Sequence, residues 1–205
     1  MTALSDAPVA PALKERWQAS WEPALATWSR FTKLSDPRWC ETRRDEKREG
    51  LNSSFAMIRL IDHAVVISLR QVQDLHLESF GREILAHEVG HHVLAPADLR
   101  DNARLLARIR AGIPTREQHA GMVANLYTDL LINDRLQRSA ALDMVGVYRA
   151  LRPDKGPVTP IWCLYMRIYE ILWGLQSNTL IPPIADRRIQ MDAGLGAKVI
   201  RVYGR

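Results

Sequence analysis

The apolar positions of this chain change their period several times, and each change marks an element. Leu13, Trp17, Trp21, Leu25 and Trp28 recur at three- and four-residue steps, which predicts a helix from about Ala12 to Leu34 with an aromatic stripe. Tryptophan buries a large area per residue, so the stripe reads as core packing rather than a ligand platform. Pro37 ends the pattern, and the run Arg43-Arg44-Asp45-Glu46-Lys47-Arg48 before Gly50 reads as a solvated loop or helix face. Between Ala56 and Val72 the texture changes. Met57-Ile58-Arg59-Leu60-Ile61 and Ala64-Val65-Val66-Ile67-Ser68-Leu69 are rich in β-branched residues on either side of Asp62-His63, which predicts a hairpin or two short strands. Helical spacing returns at Ile84, Leu85, Val89, Val93 and Leu94, and Pro96 closes that segment.

Farther on, Asp98 with Asp101 predicts the cap of another helix, buried through Leu99, Leu105, Leu106 and Ile109 and ending at Gly112. Thr115-Arg116-Glu117-Gln118 reads as a capping box that opens the next helix. Tyr148 lies in the apolar segment Val145–Leu151, and Arg152–Pro160 is a Pro/Gly loop. Ile161–Leu175 is strongly apolar, with Trp162, Tyr165, Tyr169 and Trp173, and predicts a core helix. Ala197–Tyr203 alternates with a period of two and predicts a strand. A strand so close to the last residue suits a piece of a longer protein and a natural terminus alike. The expected architecture is α+β: an α-rich domain over residues 12–205 with a small sheet beside the helix at Ile84–Leu94. Its core spans about residues 56–138 and its C-terminal helical part about 140–190, behind a flexible Ala/Pro-rich N-terminus over residues 1–11.

Composition narrows the class without naming it. A chain of 205 residues is long enough for a substantial core. Cys40 and Cys163 are its two cysteines and form neither a disulfide framework nor a Cys-x-x-Cys knuckle. No apolar run reaches membrane-spanning length, because the nearest one carries Arg167 and Glu170, and Met1–Ala12 lacks the apolar stretch of a secretory signal. A cytoplasmic protein with no membrane partner is expected. The net charge of +5 comes from arginines interleaved with acids, and no nucleic-acid motif accompanies it, so nucleic acid is not expected as a partner.

Two stretches carry candidate chemistry. His87-Glu88-Val89-Gly90-His91 has the His-Glu-x-x-His pattern, in which one helix supplies two zinc ligands and a general base. Histidines four apart lie one turn apart on the same face. Glu88 points about 100° around the helix from His87, where it can act on a water at the metal's open position. Gly90 is unusual inside a helix unless something packs closely there. The second stretch is a polar line through an apolar helix: Asn125, Asp129 and Asn133, four apart. Asn and Asp are poor helix-interior residues, and burying them unpartnered costs about 1–3 kcal/mol each. Coordination resolves that conflict. Asp129 is the candidate third ligand, with Asn125 and Asp134 as rivals, and Asn133 can orient a ligand from the outer shell. His63 and His76 read as loop or edge histidines rather than ligands.

His87-Glu88-Val89-Gly90-His91 followed by Asp129-Leu-Leu-Ile-Asn133 resembles the zincin metallopeptidases, and specifically their glutamate-ligand branch. There a later helix carries an acidic third ligand and a polar residue four positions on. More narrowly it is similar to bacterial metallopeptidase domains with an Asp-x-x-x-Asn helix, some encoded beside AAA-type ATPases and von Willebrand factor A-type proteins. The resemblance covers about Glu78–Leu136, and Asp129 stands where Glu is more usual. It implies a zincin-like fold, a Zn2+ cofactor held by His87, His91 and Asp129, and Glu88 as the catalytic base. It further implies a peptide or protein substrate, and an ATPase or von Willebrand factor A-type partner. The alternative is a regulatory or assembly module that keeps the scaffold and binds a protein partner, which the arginine count and aromatic helices would suit.

Overall fold

The computed structural model describes residues 9–51, 54–152, 158–183 and 186–203. The expected flexible N-terminus lies outside this range up to residue 8, as does the middle of the Arg152–Pro160 loop. The described residues form an α-rich α+β fold with one three-stranded sheet. The chain divides into two compact units, Met1–Ala120 and Gly121–Arg205.

In the first unit the aromatic stripe is buried as expected, but on two helices, α1 (Pro11–Ala19) and α2 (Trp21–Trp28). Pro23 explains the break. It has no N–H to give the carbonyl of Ala19, and its ring clashes with that carbonyl in a continuous helix. Leu13, Trp17, Trp21 and Leu25 all lie in the core.

The sheet comprises β1 (Arg38–Cys40), β2 (Ala56–Ile58) and β3 (Val65–Ser68). The predicted hairpin is β2 with β3, paired antiparallel through Met57 and Val66. β1 was not apparent in the sequence and lies parallel to β3 on its other side, Trp39 opposite Ile67. Central β3 is buried at all four positions, as a strand covered on both faces must be. Where strand was expected to run on to Val72, helix α4 (Leu69–Asp74) begins, because the Ser68 side chain accepts from the Gln71 N–H and caps it.

The charged run is helix α3 (Arg43–Glu49), opened by a Thr42–Asp45 capping box and closed by Gly50 at φ 79°. Only part of it is solvated. Glu46 is buried, and its carboxylate takes two hydrogen bonds from one Arg70 nitrogen, at 2.9 and 3.0 Å, and another from Ser68. Helix α5 (Gly81–Val93) follows, then α6 (Leu99–Gly112), whose N-terminus is capped by Asp98 as expected. Its apolar side is not a core face. No α6 residue is buried and Leu99 is 53% exposed, so Leu99, Leu105, Leu106 and Ile109 form at most a half-covered stripe. The capping box at Thr115 is replaced by a 3-10 turn, Glu117–His119, without a side-chain cap.

The second unit is helical: α7 (Ala120–Ser139), α8 (Met144–Ala150), α9 (Pro160–Leu172) and α10 (Arg187–Tyr203). α9 is the predicted core helix, and its two charges satisfy each other. Arg167 and Glu170 pair in the interior, and Glu170 also accepts from the N–H of Leu180 at 2.8 Å. The predicted C-terminal strand is instead the last part of α10. Ala193, Ala197 and Ile200, at steps of four and three, are buried, while Met191, Leu195, Val199 and Val202 are exposed. That is a helical period, which a seven-residue window from Ala197 hides. Gly196 lets α10 approach α9 closely: a Cβ there would meet Ile168 Cδ1 at 2.8 Å.

Candidate metal centre

The first candidate stretch lies on α5, and the aromatic stripe holds that helix in place. Gly81, at its start, packs on Trp17, where a Cβ would come within 3.3 Å of the indole. The Trp17 indole N–H donates to the carbonyl of Glu78 at 3.2 Å. Trp28 donates to the carbonyl of Ala86, the residue before His87, at 2.7 Å. The helix that carries the motif is therefore pinned at both its entrance and its centre. Edge strand β2 packs against the same helix.

Within α5, His87 and His91 are brought together as their spacing requires. Their rings meet edge-on, and their Nε2 atoms stand 3.2 Å apart. His91 Nδ1 is 3.0 Å from the carbonyl oxygen of Ala95. A carbonyl oxygen only accepts, so Nδ1 carries the proton and the neutral ring keeps its lone pair on Nε2, the nitrogen that faces His87. This is the tautomer a metal-ligating histidine adopts when a backbone carbonyl orients it. Two nitrogens bonded at about 2.0–2.1 Å to one tetrahedral ion would stand about 3.3 Å apart, so the observed spacing fits a shared ion. Glu88, between them in sequence, is buried at 6% exposure. Gly90 is buried as well.

His92, the third histidine of the run, faces elsewhere. Its ring packs on His63 with centroids 4.4 Å apart, and the φ of 53° at His63 brings that residue out of the hairpin turn toward it. Burial, and then the neighbouring His63, hold the His92 imidazole below its ordinary pKa. His63 is thus a half-buried loop residue that packs on His92.

The second candidate stretch lies on α7 and belongs to the second unit. The polar line runs from solvent to interior: Asn125 is exposed, Asp129 half-buried and Asn133 fully buried. Asn125 donates to Asp129 Oδ2 at 2.9 Å. Asn133 donates to the hydroxyls of Tyr148 and Tyr169, at 2.8 and 2.7 Å. The cost of burying Asn133 is therefore offset, on the side of its amide hydrogens, by phenols from α8 and α9. Asp134, a rival third ligand, is buried and holds the Arg138 guanidinium through both oxygens.

Around Asn133 lies a cluster that sequence reasoning missed. The Tyr165 and Tyr169 hydroxyls are 2.7 Å apart, and Tyr148 is 3.0 Å from Tyr165 and 3.3 Å from Tyr169. Tyr165 also reaches Asp129 Oδ2, at 3.5 Å. Burial first, and after it the neighbouring phenols, at Tyr165 and Tyr169, and the Asp129 charge, push all three phenols far above their ordinary pKa, so they remain protonated donors. The one legible signal was the spacing of Tyr165 and Tyr169, one turn apart on an apolar helix. Both cysteines are free and buried, and burial raises Cys40 to about 11, which keeps it a thiol.

No helix among the described residues is long and apolar enough to cross a membrane. No protein-family model, no curated protein and no solved structure matches this chain.

Proposed function

We propose that this chain is a zinc-dependent metallopeptidase of zincin type, with His87, His91 and Asp129 as metal ligands and Glu88 as the catalytic base. The observation that carries the reading is the His87–His91 pair, two Nε2 atoms 3.2 Å apart with the proton of His91 held on Nδ1. The donor set supports it further: two imidazoles and a carboxylate, a group that could hold a metal ion. Imidazole nitrogen and carboxylate oxygen with no thiolate suit zinc at a catalytic site, which takes three protein ligands and keeps one position for water.

Zinc bound there supplies Lewis acidity and brings the pKa of water toward about 7. The remaining work falls to the protein. Glu88 accepts a proton from the water as its oxygen attacks the peptide carbonyl carbon. It returns that proton to the departing amine nitrogen as the C–N bond breaks. Its place in the helix, one residue after His87 and about 100° around the axis, suits this role better than that of a ligand. Fixing His91 through Ala95 keeps its lone pair in one direction, so the site need not reorganise when an ion enters.

Cleavage profiling of the metal-loaded protein on a proteome-derived peptide library, beside Glu88→Gln, tests this reading. Gln keeps the shape of Glu but cannot accept the proton. Hydrolysis is expected to fall by about 10²-fold or more while metal content is unchanged. Equal cleavage by the two proteins would defeat the proposal and favour a scaffold that acts by binding a protein partner.

A further inference from the structure

A carboxylate that ligates a metal must be held in one orientation, and Asp129 has two rotatable side-chain bonds. What holds it can be read from the hydrogens of the tyrosine cluster. The Asn133 amide has two hydrogens, and both are directed at phenol oxygens, those of Tyr148 and Tyr169. Each phenol has one hydrogen of its own to give. The 2.7 Å separation of Tyr165 and Tyr169 must contain one of them, since two phenol oxygens that close repel without a hydrogen between them. Having accepted from Asn133, both Tyr148 and Tyr169 can donate onward to Tyr165. Tyr165 then accepts twice, and its own hydrogen goes to Asp129 Oδ2. In this arrangement every donor in the cluster leads toward the carboxylate. The reverse order would send the chain of donors through Tyr169 to the main-chain carbonyl of Asp129 at 3.2 Å, an uncharged acceptor. At equal geometry a hydrogen bond to a carboxylate is about twice as strong as one to a neutral carbonyl, which favours the first order although its contact, at 3.5 Å, is the longer of the two.

We propose that Tyr165 is a positioning residue for Asp129: its hydroxyl, backed by Tyr148, Tyr169 and Asn133, holds Oδ2 so that the carboxylate meets the metal in one orientation. Asn125 donates to the same oxygen from the exposed side, at 2.9 Å, so Oδ2 is held from two directions. The backing is rigid. Tyr169 and Asn133 are 0% exposed, Tyr165 is 4% and Tyr148 8%. Hydrogen bonds in series polarise one another, which makes Tyr165 a better donor than an isolated phenol at 3.5 Å. This inference rests on Asp129 being a ligand, as proposed above.

The test compares wild type with Tyr165→Phe, which removes one oxygen and keeps the ring. Zinc affinity is read by chelator competition. The visible bands of the cobalt-substituted protein report ligand geometry, and the Asp129 Cγ resonance is followed in the metal-free protein. Tyr165→Phe is expected to weaken zinc by about tenfold or more, shift the cobalt bands and move the Cγ resonance. A purely structural role would leave the bands and the resonance unchanged. Should Tyr165→Phe not fold, Tyr169→Phe removes one of the two hydrogens that back Tyr165 and is expected to weaken zinc by about threefold. Unchanged affinity and an unmoved Cγ resonance in a folded variant, with zinc bound by wild type, would overturn this inference alone. A wild type that binds no zinc would overturn the ligand reading and this inference with it.

Discussion

His87→Ala and His91→Ala are each expected to strip the protein of metal. The two rings are adjacent donors on one helix, and neither has a substitute on that helix, since His92 packs against His63. Structural zinc sites bind with about 10–16 kcal/mol over four ligands, roughly 3 kcal/mol for each. Loss of one imidazole should therefore cost at least about 10²-fold in affinity, and loss of both should leave none measurable. Metal content by mass spectrometry after dialysis against a chelator reads the effect directly. His92→Ala is the internal contrast and should keep its ion. Full metal occupancy in the His87→Ala, His91→Ala double variant would end the assignment.

Arg70→Met is expected to have the largest effect on stability. Glu46 and Arg70 are 7% and 5% exposed, and Arg70 also donates to Asp74 at 2.9 Å. Removing the guanidinium leaves a buried carboxylate with no opposite charge, a loss of about 3–5 kcal/mol at neutral pH. The pH dependence gives a second signature. Burial alone would raise the Glu46 pKa, but hydrogen bonds from Arg70, Ser68 and Gln71 outweigh it and hold the folded value below the ordinary 4.5. A depressed carboxylate pKa contributes stability above 4.5 that is lost as the pH falls through the folded value. In Arg70→Met burial should prevail and raise the folded pKa, reversing the sign. The stability gap between wild type and variant is thus expected to narrow on acidification from pH 7 to pH 4. Urea unfolding at the two pH values checks it, and a gap that widens would contradict the account. Glu46→Gln combined with Arg70→Met should recover much of the loss, because it removes the stranded charge.

The helix at His87 was legible because three signals coincide there: ligand spacing, an apolar face and a terminating Pro96. The hairpin was legible because β-branched residues flank the Asp62-His63 turn. Other elements depend on information that no local window holds. β1 has three residues, Arg38-Trp39-Cys40, and becomes a strand only because β3 offers it a parallel edge. Glu46 reads as one more surface charge until Arg70, far along the chain, reaches it. The end of α10 alternates for seven residues as a strand would, although Ala193, Ala197 and Ile200 mark a helix once the window is extended. The break between α1 and α2 is written at Pro23, but the three- and four-residue apolar steps run on through it and hide it. At α7 the polar line was visible, and so was the need to offset its burial. The offset at Asn133 comes from tyrosines fifteen and thirty-six residues away, which only the packed helices bring to it.

The proposed function requires one ion shared by His87, His91 and Asp129. Anomalous diffraction at the zinc edge, on crystals of the zinc-loaded wild type, tests it most directly. A single strong peak is expected within about 2.0–2.2 Å of His87 Nε2, His91 Nε2 and an Asp129 carboxylate oxygen. A peak bound by Asp134 or His92 in place of Asp129, or an Asp129 carboxylate turned away from the metal, would contradict it.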